Sequence, residues 1–373
     1  MKKGWIIALC VLLVLGAGAG YGYYRLHGAA QDERDGAKKS FHAGVDVEMC
    51  NNLYPKYLPG LIASGEIPME DLDRAVRAIL IMKFRAGLFE NPYLDPAETA
   101  KTVGCPAFMQ EAYEAQLASI VMLKNKGNVL PMAEKKKVYI PKRYYPAVVG
   151  FFGTTSEAHE ADAVNMDLVR KYFTPVDNPA EADFALVFMS SPNSGTGYDK
   201  ADREKGGNGY MPISLQYNDY TATYARAKSL AGGDPFEPFT NRSYKGKKVK
   251  TYNKRDMEAV LAARKVMGDK PVIVSMEMNK PTVFSEFEGV ADAILVNFGV
   301  QNQAVLDIVS GKAEPNALLP LQMPADMRTV EEQAEDVPRD MRCYTDSEGN
   351  TYDFAFGMNW KGKIDDERVA KYK

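Results

Sequence analysis

The sequence predicts an α/β fold in which a mostly parallel sheet is flanked by helices. After Pro131, short apolar segments of strand length alternate with longer segments of helical periodicity. The 373 residues are 46% hydrophobic and 25% charged, which is typical of a globular chain that buries a sizeable core. The formal net charge of −3 argues against a nucleic-acid partner.

An apolar run without charged side chains occupies residues 5–24. Its length is that of a helix that crosses a bilayer. Lysines precede it and acidic residues follow it, so the positive-inside tendency predicts a transmembrane anchor with the main body outside the cytoplasm. The alternative is a signal peptide cleaved near Ala19, which would release a secreted protein. Residues 25–42, small and charged, are predicted to be a tether.

Two helices are predicted next. Apolar residues recur at three- and four-residue steps over 71–84, with Pro68 as the start signal and Gly87 as the stop. A second helix is predicted over 110–123.

The alternating region supplies the elements of the sheet. Strands are predicted at 138–140, 184–189, 272–276 and 293–296, and helices at 164–172, 255–267, 283–288 and 301–309. Ligands of such sheets bind beyond the carboxyl ends of the strands. The long loop after Met189 is therefore the first place to look for a site.

Several motifs follow one another in a fixed order. They are A-G-V-D-V-E-M from Ala43, S-G-E-I-P to F-E-N-P-Y over 64–93, S-I-V-M-L-K-N with L-P-M over 119–132, and two late segments at 291–324 and 352–360. This series resembles the junction between the two domains of glycoside hydrolase family 3, the β-glucosidase and β-xylosidase family. In that family an (α/β)8 barrel ends in the first motifs and an α/β sandwich domain begins at the third.

The resemblance implies a domain organisation and an activity. Residues 43–114 correspond to the end of the barrel with linker helices, 115–363 to the sandwich domain, and 364–373 to a tail. The implied family activity is hydrolysis of O-glycosyl bonds in β-glucosides or β-xylosides with retention. The implied partner is a β-linked oligosaccharide or glycoside, and no metal or cofactor is expected.

Retaining hydrolysis uses two carboxyl groups, a nucleophile and a proton donor. The resemblance places the nucleophile on the barrel, in an S-D-W-like motif that this sequence does not contain. It therefore implies no nucleophile in this chain. We interpret Asp46 and Glu48 as polar anchors of a turn and not as catalytic groups.

The resemblance places the proton donor on a loop of the sandwich domain. Residues 190–217, which we call the long loop, are glycine-rich and of the length typical of functional segments. Glu204 is the candidate acid/base, with Asp199 as the alternative and Asp202 as a further rival. Tyr198 and Tyr210 are candidates for stacking on a sugar ring.

A second function of a different class stays open. Without a nucleophile, the sandwich domain could be a non-catalytic module that binds carbohydrate or a partner protein. The sequence gives no indication of the sugar specificity or the oligomeric state.

Overall fold

The computed structural model of the chain describes residues 33–49, 52–132, 135–149, 155–231, 239–334 and 337–371. Its helices are α1 (Glu33–His42), α2 (Leu53–Ala63), α3 (Met69–Arg85), α4 (Pro96–Thr102), α5 (Pro106–Ala118), α6 (Met166–Val169), α7 (Lys200–Glu204), α8 (Lys254–Met267), α9 (Asn302–Val309), α10 (Met327–Glu332) and α11 (Glu367–Ala370). Short 3₁₀ turns are present at Lys126–Asn128, Pro179–Glu181, Phe284–Glu286 and Glu288–Val290.

The strands are β1 (Val121–Asn125), β2 (Lys137–Tyr139), β3 (Arg143–Tyr145), β4 (Val148–Val149), β5 (Thr155–Ser156), β6 (His159–Ala161), β7 (Thr174–Pro175), β8 (Phe184–Ser190), β9 (Tyr220–Thr221), β10 (Lys248–Val249), β11 (Val272–Glu277), β12 (Ala293–Asn297), β13 (Met358–Asn359) and β14 (Gly362–Lys363). The chain divides into two compact units. The first contains the described residues up to Pro106 with two short later segments, and the second contains the rest.

The first unit contains a helix where a tether was predicted. Residues 33–42 form α1, whose Phe41 is buried against Leu58, Leu61 and Ile67. Two residues of α1, Arg34 and Lys38, form ion pairs with Glu66, and Lys38 Nζ lies 3.2 Å from the Glu66 carboxylate. The tether role of residues 25–42 stays a prediction, and residues 33–42 of this stretch are helical, with a buried aromatic ring as their packing contact.

The predicted amphipathic helix is confirmed as α3. It begins directly after Pro68, carries Glu70 and Asp71 in its first turn, and has basic residues in its last turn. Gly87 lies just beyond it with a φ of 67°, the left-handed conformation that ends helices.

The predicted membrane-anchored localisation is corrected by the structure. Among the described residues, no helix has both the length and the apolar character that crossing a membrane requires. The longest of them, α3, has 17 residues and many charged side chains, whereas a bilayer requires about 20 apolar residues. The transmembrane prediction itself concerns residues 5–24, which lie outside the described residues.

The second unit is built on a mixed sheet with the strand order β14-β13-β1-β12-β11-β8-β2-β7. The strands from β12 to β7 run parallel, as the alternating pattern predicts. β1 and β13 extend the sheet in the antiparallel direction. The α/β class is confirmed, and the observed sheet is mixed.

One strand of this sheet is missed by the sequence prediction. The helix predicted over 110–123 ends at Ala118, and β1 follows with Val121 paired to Val296 of β12. All five residues of β1 are buried, and the apolar run 120–123 has no alternation that would distinguish a buried strand from a buried helix. The helices predicted at 164–172 and 283–288 are shorter than expected, namely α6 and the 3₁₀ turns at Phe284–Glu286 and Glu288–Val290.

Alternate side chains of the central strands form two cores. Val274 and Met276 of β11 belong to the core that contains Met257 and Val260 of α8, on what we call the α8 face. Ile273 belongs to the opposite core, which contains residues of α9 such as Leu306, on the α9 face. α11 also packs, because Val369 is buried with Ala355 and Ile364 in a small separate cluster.

Candidate functional site

The long loop leaves the carboxyl end of β8 and is fixed at both of its ends. Asn253 donates through its amide to the carbonyls of Ser190 and Ser191, at 3.2 and 3.1 Å. At the far end, the buried Tyr217 donates its hydroxyl to the Ser190 carbonyl at 2.6 Å. The loop is therefore closed onto the edge of the sheet where ligands of parallel sheets bind.

Glu204 is the last residue of α7, a single turn inside this loop, and Asp199 directly precedes that turn. Asp199 caps α7, since its carboxylate accepts from the Ala201 N–H at 2.8 Å. Glu204 lies on the exposed side, with its side chain 64% accessible and 3.4 Å from Lys200 Nζ. The catalytic role of this exposed carboxylate stays a prediction.

Asp202 organises the rest of the loop. Its carboxylate accepts from Lys247 Nζ at 2.7 Å and from the Gly209 N–H at 2.8 Å. Lys247 holds the pKa of Asp202 below its ordinary value. A Cβ at Gly207 would lie 2.2 Å from the Asp202 carboxylate, so the glycine makes room for it. Asp202 is therefore an ionised anchor of the loop and a poor proton donor.

The two predicted stacking residues lie together. Tyr198 and Tyr210 form an antiparallel bridge, and their rings meet edge to face with centroids 5.8 Å apart. The Arg242 guanidinium lies 5.5 Å from the centre of the Tyr210 ring. Tyr198 is 51% exposed, so it can offer apolar surface to a ligand, and the sugar-stacking role of the pair stays a prediction.

Asp46 and Glu48 occupy the positions that their interpretation as anchors requires. The Glu48 carboxylate accepts from the N–H groups of Leu53 and Tyr54 at 3.0 and 2.8 Å, at the start of α2. Asp46 pairs with Arg74 at 3.0 Å. Both carboxylates hold the turn between α1 and the later helices of the first unit.

Sequence reasoning missed a polar cluster at the same sheet edge. Arg143 on β3 binds Asp256 through Nε and Nη2, at 3.0 and 2.7 Å, and its Nη2 also reaches the Ser190 hydroxyl at 2.7 Å. Glu277, at the carboxyl end of β11, is exposed and lies opposite Ser190 in the ladder. The position of Glu277 after a predicted strand is the signal that could have found it, whereas the Arg143–Asp256 pair joins residues 113 positions apart.

The lysine of the S-I-V-M-L-K-N motif has a structural partner. Lys124 is buried on β1 and forms an ion pair with the buried Glu288. Its Nζ also donates to the Ser347 hydroxyl at 3.0 Å, and Tyr344 donates to the second Glu288 oxygen at 2.9 Å. Burial alone would raise the pKa of Glu288, but the hydrogen bonds from Lys124 and Tyr344 lower it.

The site contains no candidate for metal binding. Within the described ranges, no group of three or more His, Cys, Asp or Glu side chains could hold a metal ion. One open cavity of about 600 Å³ is lined by residues 161–167 and Asn302 and does not include the predicted site residues.

Replacing Asp202 by asparagine is expected to loosen the long loop. The change removes the charge that Lys247 and Gly209 bind, and a hydrogen bond to a charged group contributes about 1.5–3 kcal/mol. We expect trypsin to cleave the variant after Arg203 or Lys205 at least about fivefold faster than wild type, because a larger fraction of the molecules has the long loop locally unfolded. The control is Asp219→Asn, which breaks the more exposed pair with Lys248 outside this loop. Equal cleavage of the two variants would contradict the anchoring role.

The architecture and the loop define the class: an α/β sandwich domain with a polar site at the carboxyl edge of its parallel strands. A sequence model of the Glycosyl hydrolase family 3 C-terminal domain matches residues 120–360. Because this match covers more than half of the chain, the protein belongs to glycoside hydrolase family 3, and the resemblance of its motifs is confirmed.

Named relatives agree with this assignment. The chain is 28% identical over 310 residues to a probable β-glucosidase C of Aspergillus flavus, covering 83% of this chain and 39% of the relative. It is 37% identical over 121 residues to a periplasmic β-glucosidase of Salmonella typhimurium, covering 31% of this chain and 16% of the relative. The chain thus spans about two fifths of the length of the first of these relatives.

A solved structure shows the same fold. The β-glucosidase of Listeria innocua, in complex with glucose, superposes with a TM-score of 0.55 at 20% identity. The superposition covers 89% of this chain and 44% of that enzyme.

Proposed function

We propose that these 373 residues supply the sandwich-domain part of a glycoside hydrolase active site that acts on β-glucosides or β-xylosides. The observation that carries the proposal is the family match over residues 120–360, together with relatives named as β-glucosidases. Glu204 on the long loop is the proposed proton donor, with Asp199 as the alternative. Tyr198 and Tyr210 are proposed to contact the sugar.

The proposal includes a division of labour within the fold. Residues 43–114 correspond to the end of the barrel and its linker helices, 115–363 to the sandwich domain and 364–373 to a tail. No residue of this chain matches the barrel nucleophile. Because a retaining glycosidase forms a covalent intermediate on that carboxylate, these residues by themselves are proposed to hydrolyse little or no substrate.

Hydrolysis of an aryl β-glucoside by the purified chain tests this proposal. The expected result is a rate near that of the buffer, and no difference between wild type and Glu204→Gln. Glu98→Gln is the matched control, because Glu98 is also exposed, at 66%, and paired with a lysine of its own helix. Turnover at about 1 s⁻¹ or faster would contradict the inactivity. Loss of that turnover in Glu204→Gln alone would still support Glu204 as proton donor.

A specific observation favours the non-catalytic alternative. A general acid of a glycosidase is held in place beside the scissile bond, whereas the Glu204 side chain is 64% exposed and pairs with Lys200 on the surface of α7. Binding of a β-glucoside without turnover would indicate a carbohydrate-binding module. Binding to neither sugar nor glycoside would contradict both forms of the proposal.

A further inference from the structure

A small area of the sheet edge brings together several side chains that could form further hydrogen bonds to a ligand. These side chains lie on the α9 face of β8 and β11, at the carboxyl ends of these strands. Phe188, Ser190, Ser275 and Glu277 share this face, because they alternate with the α8-face residues Val187, Met189, Val274 and Met276. Crevices at this edge are where open parallel sheets bind their ligands.

Glu277 is the most exposed of these groups. Its carboxylate makes no hydrogen bond or ion pair with any residue that the structure describes, whereas Asp199, Asp202 and Asp256 all bond nearby backbone or basic groups. Its strand is in register with β8 and β12, with Ser190 and Asn297 opposite. Glu277 is thus an acceptor that the fold does not use.

Ser275 lies one pleat deeper on the same face. It is only 2% exposed, and its buried hydroxyl makes no hydrogen bond within the described part of the chain. It pairs in register with the partly exposed Phe188. Since a buried hydroxyl without a partner costs free energy, a ligand hydroxyl or a water beside Phe188 would satisfy it.

Arg143 supplies a fixed donor to this area. Two of its nitrogens are held by Asp256 and Ser190, and Nη1 makes no hydrogen bond among the described residues. Its guanidinium lies 5.4 Å from the Tyr145 ring centre, and Tyr145 stacks on His159 at 5.3 Å. The donor is therefore pre-oriented beside an aromatic surface.

These groups select the chemistry of the ligand. Arg143 is already paired with Asp256, so the Glu277 carboxylate leaves the area negative and disfavours an anionic ligand, whereas an uncharged polar ligand avoids this repulsion. The ligand must offer hydroxyls that donate to Glu277 and accept from Arg143, and an apolar face for Phe188. A pyranose ring has both features.

We propose that the α9-face edge of β8 and β11 binds one pyranose ring of a β-linked glycoside, with Glu277 and Arg143 bound to its hydroxyls. The ligand class rests on the proposed function, and the location does not. This site is separate in sequence from the long-loop carboxylates and gives the sandwich domain a sugar contact of its own.

Titration of methyl β-D-glucopyranoside into the full chain, followed by protein NMR shifts, tests this inference. Wild type is expected to bind with shifts concentrated at Ser190 and Glu277. Glu277→Gln is expected to weaken binding about tenfold, because it removes a charged hydrogen-bond acceptor. Glu258→Gln, an exposed glutamate of α8, is the control that should bind like wild type. Unchanged circular dichroism of Glu277→Gln verifies its fold.

Two results would overturn the inference. If Glu204→Gln weakens binding more than Glu277→Gln, the sugar binds at the long loop; the proposed function then stands and this site does not. If wild type shows no shift with the glucoside or with methyl β-D-xylopyranoside, the site does not bind pyranoses. That result would also contradict the proposed function, whereas the first result contradicts this site alone.

Discussion

Replacing Lys124 by methionine is expected to lower the free energy of unfolding by about 3–5 kcal/mol. The side chains of Lys124 and Glu288 are 1% and 2% exposed, so the variant leaves a carboxylate in the core without its cation. Tyr344 and Ser347 remain as hydrogen-bond donors but carry no charge. Methionine fills similar volume, so the loss reports the unpaired charge and not a cavity.

Urea unfolding followed by circular dichroism measures this effect. Lys254→Met is the control, because Lys254 forms an exposed pair with Glu258 on α8 and such pairs contribute about 0.5 kcal/mol. Adding Glu288→Leu to Lys124→Met is expected to recover part of the loss, since it removes the unpaired charge. A loss below about 1 kcal/mol for Lys124→Met would contradict the account of the pair.

The pH dependence of the same pair has a defined sign. The pKa of Glu288 is lowered in the folded protein, so the pair stabilises fully above the unfolded pKa of about 4.3 and loses its contribution as the pH falls through the lower folded pKa. Without Lys124, burial favours the protonated acid. The stability difference between wild type and Lys124→Met is therefore expected to shrink as the pH falls from 7 toward 4.

Replacing Gly357 by alanine is expected to lower the free energy of unfolding of the second unit by at least about 1–3 kcal/mol. A Cβ at this position would lie 2.2 Å from the Ala317 carbonyl oxygen, which is backbone and cannot rotate away. The two segments are also tied by hydrogen bonds, from Leu319 N–H to the Phe356 carbonyl at 2.8 Å and from Ala355 N–H to the Leu319 carbonyl at 2.9 Å. Gly357, in the late segment 352–360, is thus required for close backbone contact.

The midpoints of thermal unfolding of Gly357→Ala and Gly289→Ala, each compared with wild type, test this prediction. A Cβ at Gly289 would meet nothing within 4 Å, so this control is expected to remain near wild type. Similar midpoints for the two variants would contradict the contact with Ala317.

The sequence predicted the elements whose patterns are local. β8, β11 and β12 are apolar runs bounded by turn residues, and α3 has its start and stop signals in the chain itself. β1 was missed because its side chains are buried on both faces, and short buried runs have no period. α1 was missed because its packing depends on Leu58 and Leu61, which a local pattern does not identify as partners.

Some features of the candidate site could likewise be predicted from the sequence, and others required the structure. The long loop was predicted from its length and from the family resemblance, and its position beyond β8 follows from the strand pattern. The roles of Asp199 as a cap and Asp202 as an anchor required the three-dimensional contacts. Arg143, Ser190 and Asp256 come together only through the fold, because the bond between Arg143 and Asp256 links distant residues.

We propose that these 373 residues, which belong to glycoside hydrolase family 3, carry no catalytic nucleophile of their own. An activated 2-deoxy-2-fluoro-β-glucoside traps the covalent intermediate of a retaining enzyme, and intact-protein mass spectrometry detects the added sugar. An active family 3 β-glucosidase run in parallel verifies the reagent. We predict no mass increase for the wild-type chain. A stoichiometric fluoroglucosyl adduct on an aspartate or glutamate of this chain would contradict the claim.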